Sequence, residues 1–286
     1  MDAVPILKRI RHVVLDLDGT VYLSGQLFPW TQPFLATLRE LQIGYTFLTN
    51  NCSRSRRDYV ETLRAKGLDA NVHNVHTSGQ ATIDYLRRHM ANVQTLSLVG
   101  TDRFATELVE AGYAICDPAT DREPDAVVVA FDTSLNYTSL CKAAYWIQRG
   151  KPYAATHPDF VCPTSQPTVL IDCGAVCACI AAATGRKPDI VIGKPHARML
   201  EGLLRREGLQ PNEVAVAGDR LYTDLQMAIN TQAVGVLVLS GETTAEQATQ
   251  SSVQPDFIVR DLGAFGELLL QAHGKETTNG TRRVAC

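Results

Sequence analysis

The sequence lacks the features that mark a membrane protein, a disulfide framework or a nucleic-acid binder. It has no run of about 18 consecutive apolar residues, so no transmembrane helix is expected. Residues 1–11 are not followed by the apolar stretch of a signal peptide, and we therefore expect a cytoplasmic protein. The eight cysteines include no C-x-x-C pair. Because 27 basic residues nearly balance 30 acidic ones, nothing favours nucleic acid or a membrane as a partner, and a small molecule is expected instead.

What the sequence does contain is the composition of a globular protein, with 45% hydrophobic and 20% charged residues. Apolar, strand-like runs alternate with amphipathic stretches, which predicts an α/β fold with a doubly wound parallel sheet. The predicted strands are 13–17, 44–48, 93–99, 126–130, 153–155, 189–192, 214–217 and 234–239. The predicted helices are 32–41, 54–66, 80–88, 103–111, 139–148, 175–184, 197–207 and 224–229. Residues 273–286 have almost no apolar character and are predicted to be poorly ordered.

Two carboxylates follow the first predicted strand, in the sequence VVLDLDGT at residues 13–20. Asp16 and Asp18 are two residues apart, so in an extended chain both side chains point to one face. The carboxyl ends of strands line the ligand crevice of open α/β sheets. Carboxylates this close repel each other, and a hard divalent cation would relieve the repulsion. The alternative is a capping aspartate followed by an ordinary Asp-Gly turn.

Two further strand ends carry groups suited to an anion. Thr49, Asn50 and Asn51 precede a predicted helix and offer a hydroxyl and backbone N–H groups. Lys194 lies on a Gly/Pro turn after an apolar run, where a compact ammonium suits a phosphate. Helix capping and a solvated loop lysine are the plain alternatives.

A second acid pair follows the apolar run 214–217. Asp219 lies at the predicted strand end, and Asp224 lies near the start of the next helix, where a carboxylate is favoured by the helix dipole. Each alone has an ordinary explanation as a cap. Four strand ends that carry an acid pair, a hydroxyl with amides, a lysine and another acid pair are poorly explained by chance.

With these four motifs the sequence resembles the phosphatases of the haloacid dehalogenase superfamily. The motifs match residues 16–20, Thr49, Lys194 and residues 218–224. Roughly 140 residues separate Thr49 from Lys194, far more than a loop of about 2–6 residues. In the family, such a gap holds a large α/β cap.

The residues within these motifs are similar to those of one subgroup, the NagD-like and p-nitrophenyl phosphatases. The motifs read LTNN at 48–51, ATHPD at 155–159 and GKP at 193–195. One departure is His157, where many relatives have Asn.

The resemblance implies a domain organisation. A discontinuous core of Rossmann-like topology would comprise residues 1–78 plus 189–272. An inserted α/β cap would comprise residues 79–188, followed by the tail at 273–286. A homodimer through the cap is a further expectation from family similarity.

The resemblance also implies a Mg²⁺-dependent phosphoric monoester hydrolase that acts on a nucleotide, a sugar phosphate, phosphoglycolate or a similar small ester. Asp16 would attack phosphorus to form an aspartyl-phosphate, and Asp18 would act as acid and base. Mg²⁺ would be held by Asp16, the backbone carbonyl of Asp18, and Asp219, with Asp224 beside them.

Substrate contacts are implied for six residues. The phosphoryl oxygens would be held by Thr49, Asn50, Asn51 and Lys194. The leaving group would be met by His157 and Asp159 from the cap.

Other chemistries stay open at this stage. A phospho-accepting receiver module also uses aspartates and a lysine on such a sheet, but it would be less than half as long and would not turn over. A dehalogenase or phosphonatase retains the nucleophile but does not usually have an aspartate at the position of Asp18. A phosphomutase usually carries a small helical cap just after the first motif.

Overall fold

The computed structural model describes residues 3–164 and 166–275. In chain order its strands are β1 (His12–Asp16), β2 (Tyr22–Leu23), β3 (Gln26–Leu27), β4 (Gly44–Thr49), β5 (Val75–Thr77), β6 (Thr95–Val99), β7 (Ala114–Ile115), β8 (Ala126–Val129), β9 (Tyr153–Ala155), β10 (Val161–Cys162), β11 (Leu170–Ile171), β12 (Ile190–Val191), β13 (Val214–Gly218), β14 (Val234–Val238) and β15 (Phe257–Val259).

The helices that connect these strands are α1 (Ala3–Arg9), α2 (Thr31–Glu40), α3 (Arg56–Ala65), α4 (Ser78–His89), α5 (Asp102–Glu110), α6 (Tyr137–Gln148), α7 (Cys173–Thr184), α8 (Arg198–Glu207), α9 (Gln226–Thr231), α10 (Ala245–Gln250) and α11 (Leu262–Ala272). A single π-helical turn, Leu221–Leu225, leads into α9. Among these helices of the described residues, none combines the length and apolar character needed to cross a bilayer.

The main sheet has six parallel strands in the order β15-β14-β13-β1-β4-β5. Strands β13 and β14 are buried at every position, as expected when helices cover both faces of a parallel sheet. The chain runs from β1 outward to β5 and later returns to β13 on the other side of β1. Strand order therefore reverses at β1, and its carboxyl end is the expected ligand crevice.

A second sheet of five parallel strands, in the order β12-β9-β8-β6-β7, is inserted between β5 and β13. Its last strand in the chain is β12, which pairs with β9 through Ile190 and Val191. The predicted return to the core at residue 189 is therefore wrong by a few residues, because β12 closes the inserted sheet. Two apolar β-branched residues indicate a buried strand, but they do not say which sheet receives it.

The α/β class with parallel sheets is confirmed, and so is most of the alternation, while several elements were missed. These are α1, α10, α11, β5, β7, β15 and the two-stranded hairpins. The tail was predicted to be poorly ordered from residue 273. This is wrong for His273 and Lys275, whose backbone N–H groups bond to carbonyl groups at the end of α11. Residues 276–286 lie outside the described part of the chain.

The main core fills both faces of the six-stranded sheet. Residues of α1, α2, α3 and α11 pack on one face, and residues of α8 and α9 pack on the other. On the first face the rings of Phe34 and Phe265 lie 5.7 Å apart between α2 and α11, and both side chains are buried. This contact fixes α2 and α11 against the sheet that carries the predicted site.

We predict that Phe265→Ala lowers the free energy of unfolding by about 3–5 kcal/mol, because a buried ring leaves a cavity. The matched control is Phe160→Ala, since Phe160 is exposed, and we expect it to change stability by less than about 1 kcal/mol. Urea denaturation of both variants measures the difference. Equal losses would contradict the assignment of Phe265 to the core.

Candidate active site

The four sequence motifs meet at the carboxyl end of the main sheet. Asp16 ends β1, Thr49 ends β4, and Asp219 follows β13 directly. Lys194 arrives from the other side, on the loop that leaves β12. A cavity of about 80 Å³ lies between the sheets, and Asp16, Thr49 and Lys194 line it together with Asp159.

Lys194 joins the first and fourth motifs through two ion pairs. Its Nζ donates to Asp16 Oδ1 at 2.5 Å and to Asp224 Oδ1 at 2.7 Å. Burial alone would lower the pKa of this ammonium, but the carboxylates of Asp16 and Asp224 outweigh burial and raise the pKa. The lysine therefore stays charged inside the protein, because its carboxylate partners compensate for the loss of water.

The carboxylates around Lys194 carry more negative charge than one lysine balances. Burial, reinforced by Asp224 and Asp219, raises the pKa of Asp16 to about 8 although Lys194 opposes the change. Burial and the charge of Asp224 also raise the pKa of Asp219 to about 6. The cluster therefore resists holding its full negative charge without a further cation.

Three of these carboxylates have the geometry of a cation site. One oxygen from each of Asp16, Asp219 and Asp224 lies within 4.8 Å of the others. Asp219 Oδ1 is buried and has no hydrogen-bond partner among the described residues. Carboxylate oxygens are the donors that Mg²⁺ prefers, so the residues fit that ion.

Two glycines form the wall against Asp219. A Cβ atom on Gly19 would lie 2.3 Å from Asp219 Oδ2, and one on Gly241 would lie 2.0 Å from the same oxygen. That oxygen also accepts a 2.7 Å hydrogen bond from the backbone N–H of Glu242. The loop after β14 is thus part of the site, which the sequence motifs did not predict.

Asp18 lies at the outer end of the first motif, where its side chain reaches solvent and the cavity. Desolvation at the cavity mouth nonetheless raises the pKa of Asp18, while the charges of Arg220 and Lys194 oppose the change. A carboxyl group with a raised pKa is better able to hold and deliver a proton.

Asn50 fastens the second motif to the third and to the inserted sheet. Its Nδ2 donates to Asp159 Oδ2 and to the Lys194 carbonyl, both at 3.0 Å. Its Oδ1 accepts from the Lys194 N–H at 2.8 Å. The side chain of Asn50 therefore positions Lys194, a role that the sequence did not predict.

Two predicted binding groups are arranged differently from expectation. The Asn51 N–H donates to Thr49 Oγ1 at 3.1 Å, so this amide is used within the motif. His157 is fully buried and its Nε2 lies 2.8 Å from Asp172 Oδ1. The predicted contact between His157 and a leaving group is therefore wrong in this conformation, because the imidazole turns inward to pair with Asp172. Asp159 does line the cavity.

Arg220 and Asp172 also line the cavity and were not predicted. Arg220 directly follows Asp219, and its Nε lies 2.9 Å from Glu242 Oε2 in an ion pair. Because Arg220 is adjacent in sequence to a strand-end acid, it could have been predicted as a site residue. For Asp172, which caps α7, the sequence offers no such signal.

The comparisons with known proteins agree with this geometry. Two family models match, a haloacid dehalogenase-like hydrolase over residues 13–114 and a HAD-hydrolase-like region over residues 191–265. The acid sugar phosphatase of Staphylococcus aureus (strain USA300) is 30% identical over 263 residues, 92% of this chain and 99% of that protein. The chain belongs to the haloacid dehalogenase-like hydrolases.

Solved structures of this family place the chain in a subgroup. A 4-nitrophenylphosphatase from Thermotoga maritima is 37% identical with a TM-score of 0.85, covering 92% of this chain and 98% of that one. NagD from Escherichia coli K-12 is 29% identical with a TM-score of 0.80, covering 89% and 97%. The predicted membership in the NagD-like phosphatases is confirmed, and the chain is a phosphatase for a small phosphate substrate.

We predict that Asn50→Ala lowers kcat/KM for p-nitrophenyl phosphate about 10- to 100-fold, or ~1.4–2.7 kcal/mol, because Lys194 loses its backbone clamp. Asn92→Ala is the matched control, since Asn92 is exposed, and it should leave kcat/KM unchanged. Steady-state kinetics decides. Wild-type kcat/KM in Asn50→Ala would mean that the clamp has no catalytic role.

Proposed function

We propose that this phosphatase hydrolyses phosphomonoesters through a phosphorylated intermediate on Asp16, with Mg²⁺ held beside it. The observation that carries the proposal is the position of Asp16. Its carboxylate contacts Lys194 Nζ at 2.5 Å, clusters with Asp219 and Asp224, and lines the cavity together with Asp18. A nucleophile, a counter-charge and an acid thus share one small space.

In the first half-reaction an oxygen of Asp16 attacks phosphorus, and the bond between phosphorus and the leaving oxygen breaks. Asp18 gives its proton to that oxygen, so the product leaves as a neutral alcohol. The raised pKa of Asp18 favours this protonated starting form. Lys194 has three N–H donors and can turn one toward a phosphoryl oxygen while it keeps its contact with Asp224.

In the second half-reaction Asp18, now ionised, takes a proton from water as the water oxygen attacks phosphorus. The bond between Asp16 and phosphorus breaks and inorganic phosphate is released. Asp18 ends the cycle protonated, so one ester and one water give one alcohol and one phosphate.

Asp16 and Asp219 are the proposed direct ligands of Mg²⁺, with the backbone carbonyl of Asp18 as expected from the family. Asp219 Oδ1 is the buried oxygen without a partner. Both oxygens of Asp224 have partners, since Oδ1 accepts from Lys194 and Oδ2 accepts from the Arg220 N–H at 3.3 Å. We therefore assign Asp224 to holding Lys194. When bound, Mg²⁺ would neutralise the carboxylates and polarise a phosphoryl oxygen.

We also propose that the inserted sheet is a cap that selects the substrate. Support comes from the cavity, whose outer wall includes Asp159, Cys162 and Asp172 from this part of the chain. Two carboxylates beside the leaving group accept hydrogen bonds from hydroxyl groups and repel further anions. Sugar phosphates are thus favoured over phosphoglycolate, whose leaving group carries a carboxylate, and over nucleoside di- and triphosphates, in line with the acid sugar phosphatase relatives.

We predict that Asp16→Asn abolishes turnover, a loss of at least about 10³-fold, because an amide cannot form the acyl phosphate. Glu40→Gln, an exposed acid at the end of α2, is the matched control and should keep full activity. Hydrolysis of p-nitrophenyl phosphate measures both. Residual activity above a tenth of wild type in Asp16→Asn would remove Asp16 as the nucleophile.

We predict that Asp18→Asn affects poor leaving groups most, because nitrophenolate needs little protonation when it departs. Loss of kcat should be about 10-fold greater on a sugar phosphate than on p-nitrophenyl phosphate. Parallel kinetics on the two esters measures this ratio. Equal losses would count against Asp18 as the acid.

We predict that chelation removes activity and that Mg²⁺ restores it. Asp219→Asn should raise the Mg²⁺ concentration for half-maximal activity at least about 10-fold, since a direct ligand is lost. Asp224→Asn should produce a larger fold-change in kcat than in this Mg²⁺ concentration, since Lys194 loses one of its two carboxylate partners. Full activity after exhaustive chelation, or the reverse pattern for the two variants, would contradict the assignment.

A further inference from the structure

His157, Asp159 and Asp172 form a second cluster of metal-ligating side chains, contributed by the inserted part of the chain rather than by the main sheet. One donor atom from each lies within 4.8 Å of the others. The catalytic steps above use none of the three in bond making or proton transfer, although Asp159 and Asp172 are the proposed acceptors for substrate hydroxyl groups. That role does not explain why His157 lies against these two carboxylates.

The spacing of the cluster suits ligands around one ion. His157 Nε2 and Asp172 Oδ1 are 2.8 Å apart. Ligands that bind a first-row metal at about 2.0–2.2 Å lie roughly 3 Å apart when they are adjacent in its coordination sphere. A carboxylate oxygen of Asp159 completes a set of three.

Neighbouring groups hold each ligand in place. His157 Nδ1 lies 2.9 Å from Thr156 Oγ1, which can accept a proton from Nδ1, and a bound ion would replace the proton that lies between Nε2 and Asp172. Asn50 Nδ2 donates to Asp159 Oδ2, and the Cys173 N–H donates to Asp172 Oδ1. Such outer partners fix the tautomer and orientation of metal ligands.

An ion can reach this cluster through the substrate cavity. Asp159 and Asp172 line the cavity, while His157 is fully buried behind them. The fourth and later coordination positions would face the cavity, where they can take water or a substrate hydroxyl. Two carboxylates and one neutral imidazole also supply the negative charge that balances a divalent ion.

The donor set points to a class of metal. Imidazole nitrogen with carboxylate oxygen suits Zn²⁺, Co²⁺ or Mn²⁺, whereas Mg²⁺ prefers oxygen alone. We propose that His157, Asp159 and Asp172 bind a transition-metal ion such as Zn²⁺ at the cavity mouth. This site is separate from the carboxylates around Asp16, and the bound ion obstructs substrate entry.

The first test is Co²⁺ binding to the full chain in an Asp219→Asn background, which weakens the other cation site. We expect one Co²⁺ per chain by equilibrium dialysis, with visible d–d absorption and no near-ultraviolet thiolate band. Adding Asp159→Asn should weaken this binding at least about 10-fold. Asp159 is only partly buried, so this variant should fold, and Asp102→Asn, an exposed acid, should bind like the background.

Three results would overturn the proposal. These are no Co²⁺ bound at the cluster, unchanged binding in the Asp159→Asn variant, or a thiolate band that assigns the ion to cysteine. The first or second result would leave His157 and Asp172 as a structural ion pair.

The second test is inhibition of the wild-type phosphatase by Zn²⁺ at saturating Mg²⁺. Inhibition should be competitive with substrate, and Asp159→Asn should need at least about 10-fold more Zn²⁺ for half-inhibition. Equal sensitivity of wild type and Asp159→Asn would show that Zn²⁺ acts elsewhere, and the proposal would fall.

Discussion

The buried ammonium of Lys194 lies between the carboxylates of Asp16 and Asp224, and the geometry of the site depends on these two ion pairs. Removing one partner of a buried pair typically costs about 3–5 kcal/mol, since the remaining charge stays uncompensated. Lys194 reaches this position from a loop that leaves the inserted sheet, while Asp16 ends β1 of the main sheet and Asp224 lies in the π-helical turn after β13. The two sheets must therefore meet for the charges to be balanced.

This constraint links the fold to the chemistry. Asn50 joins the end of β4 to the backbone of Lys194 and to Asp159, so the second motif, the third motif and the inserted sheet share one junction. Burial, reinforced by the negative charge of neighbouring carboxylates that Lys194 does not balance, raises the pKa values of Asp16 and Asp219. That residual charge, at the ends of β1 and β13, is what a divalent cation would neutralise.

The sequence predicted the α/β class and the acidic strand ends because these depend on local pattern. An apolar run that ends in Asp16 or Asp219 predicts a buried strand with an acid at its carboxyl end, whichever strands pair with it. The sequence did not predict which sheet contains β12, that Asn50 holds the backbone of Lys194, or that the side chain of His157 points inward. Each of these depends on pairing between residues far apart in the chain, such as His157 with Asp172 or Ile190 with Ala154.

The central claim is that the nucleophile is Asp16, and the most direct measurement is chemical trapping of its acyl phosphate. The enzyme is quenched during turnover of p-nitrophenyl phosphate and reduced with borohydride, and its peptides are sequenced by mass spectrometry. Reduction of an acyl phosphate at Asp16 yields homoserine at that position, and this is the result we predict. Turnover with Asp16 unmodified in every trapped sample, or with the product at another carboxylate, would contradict the account.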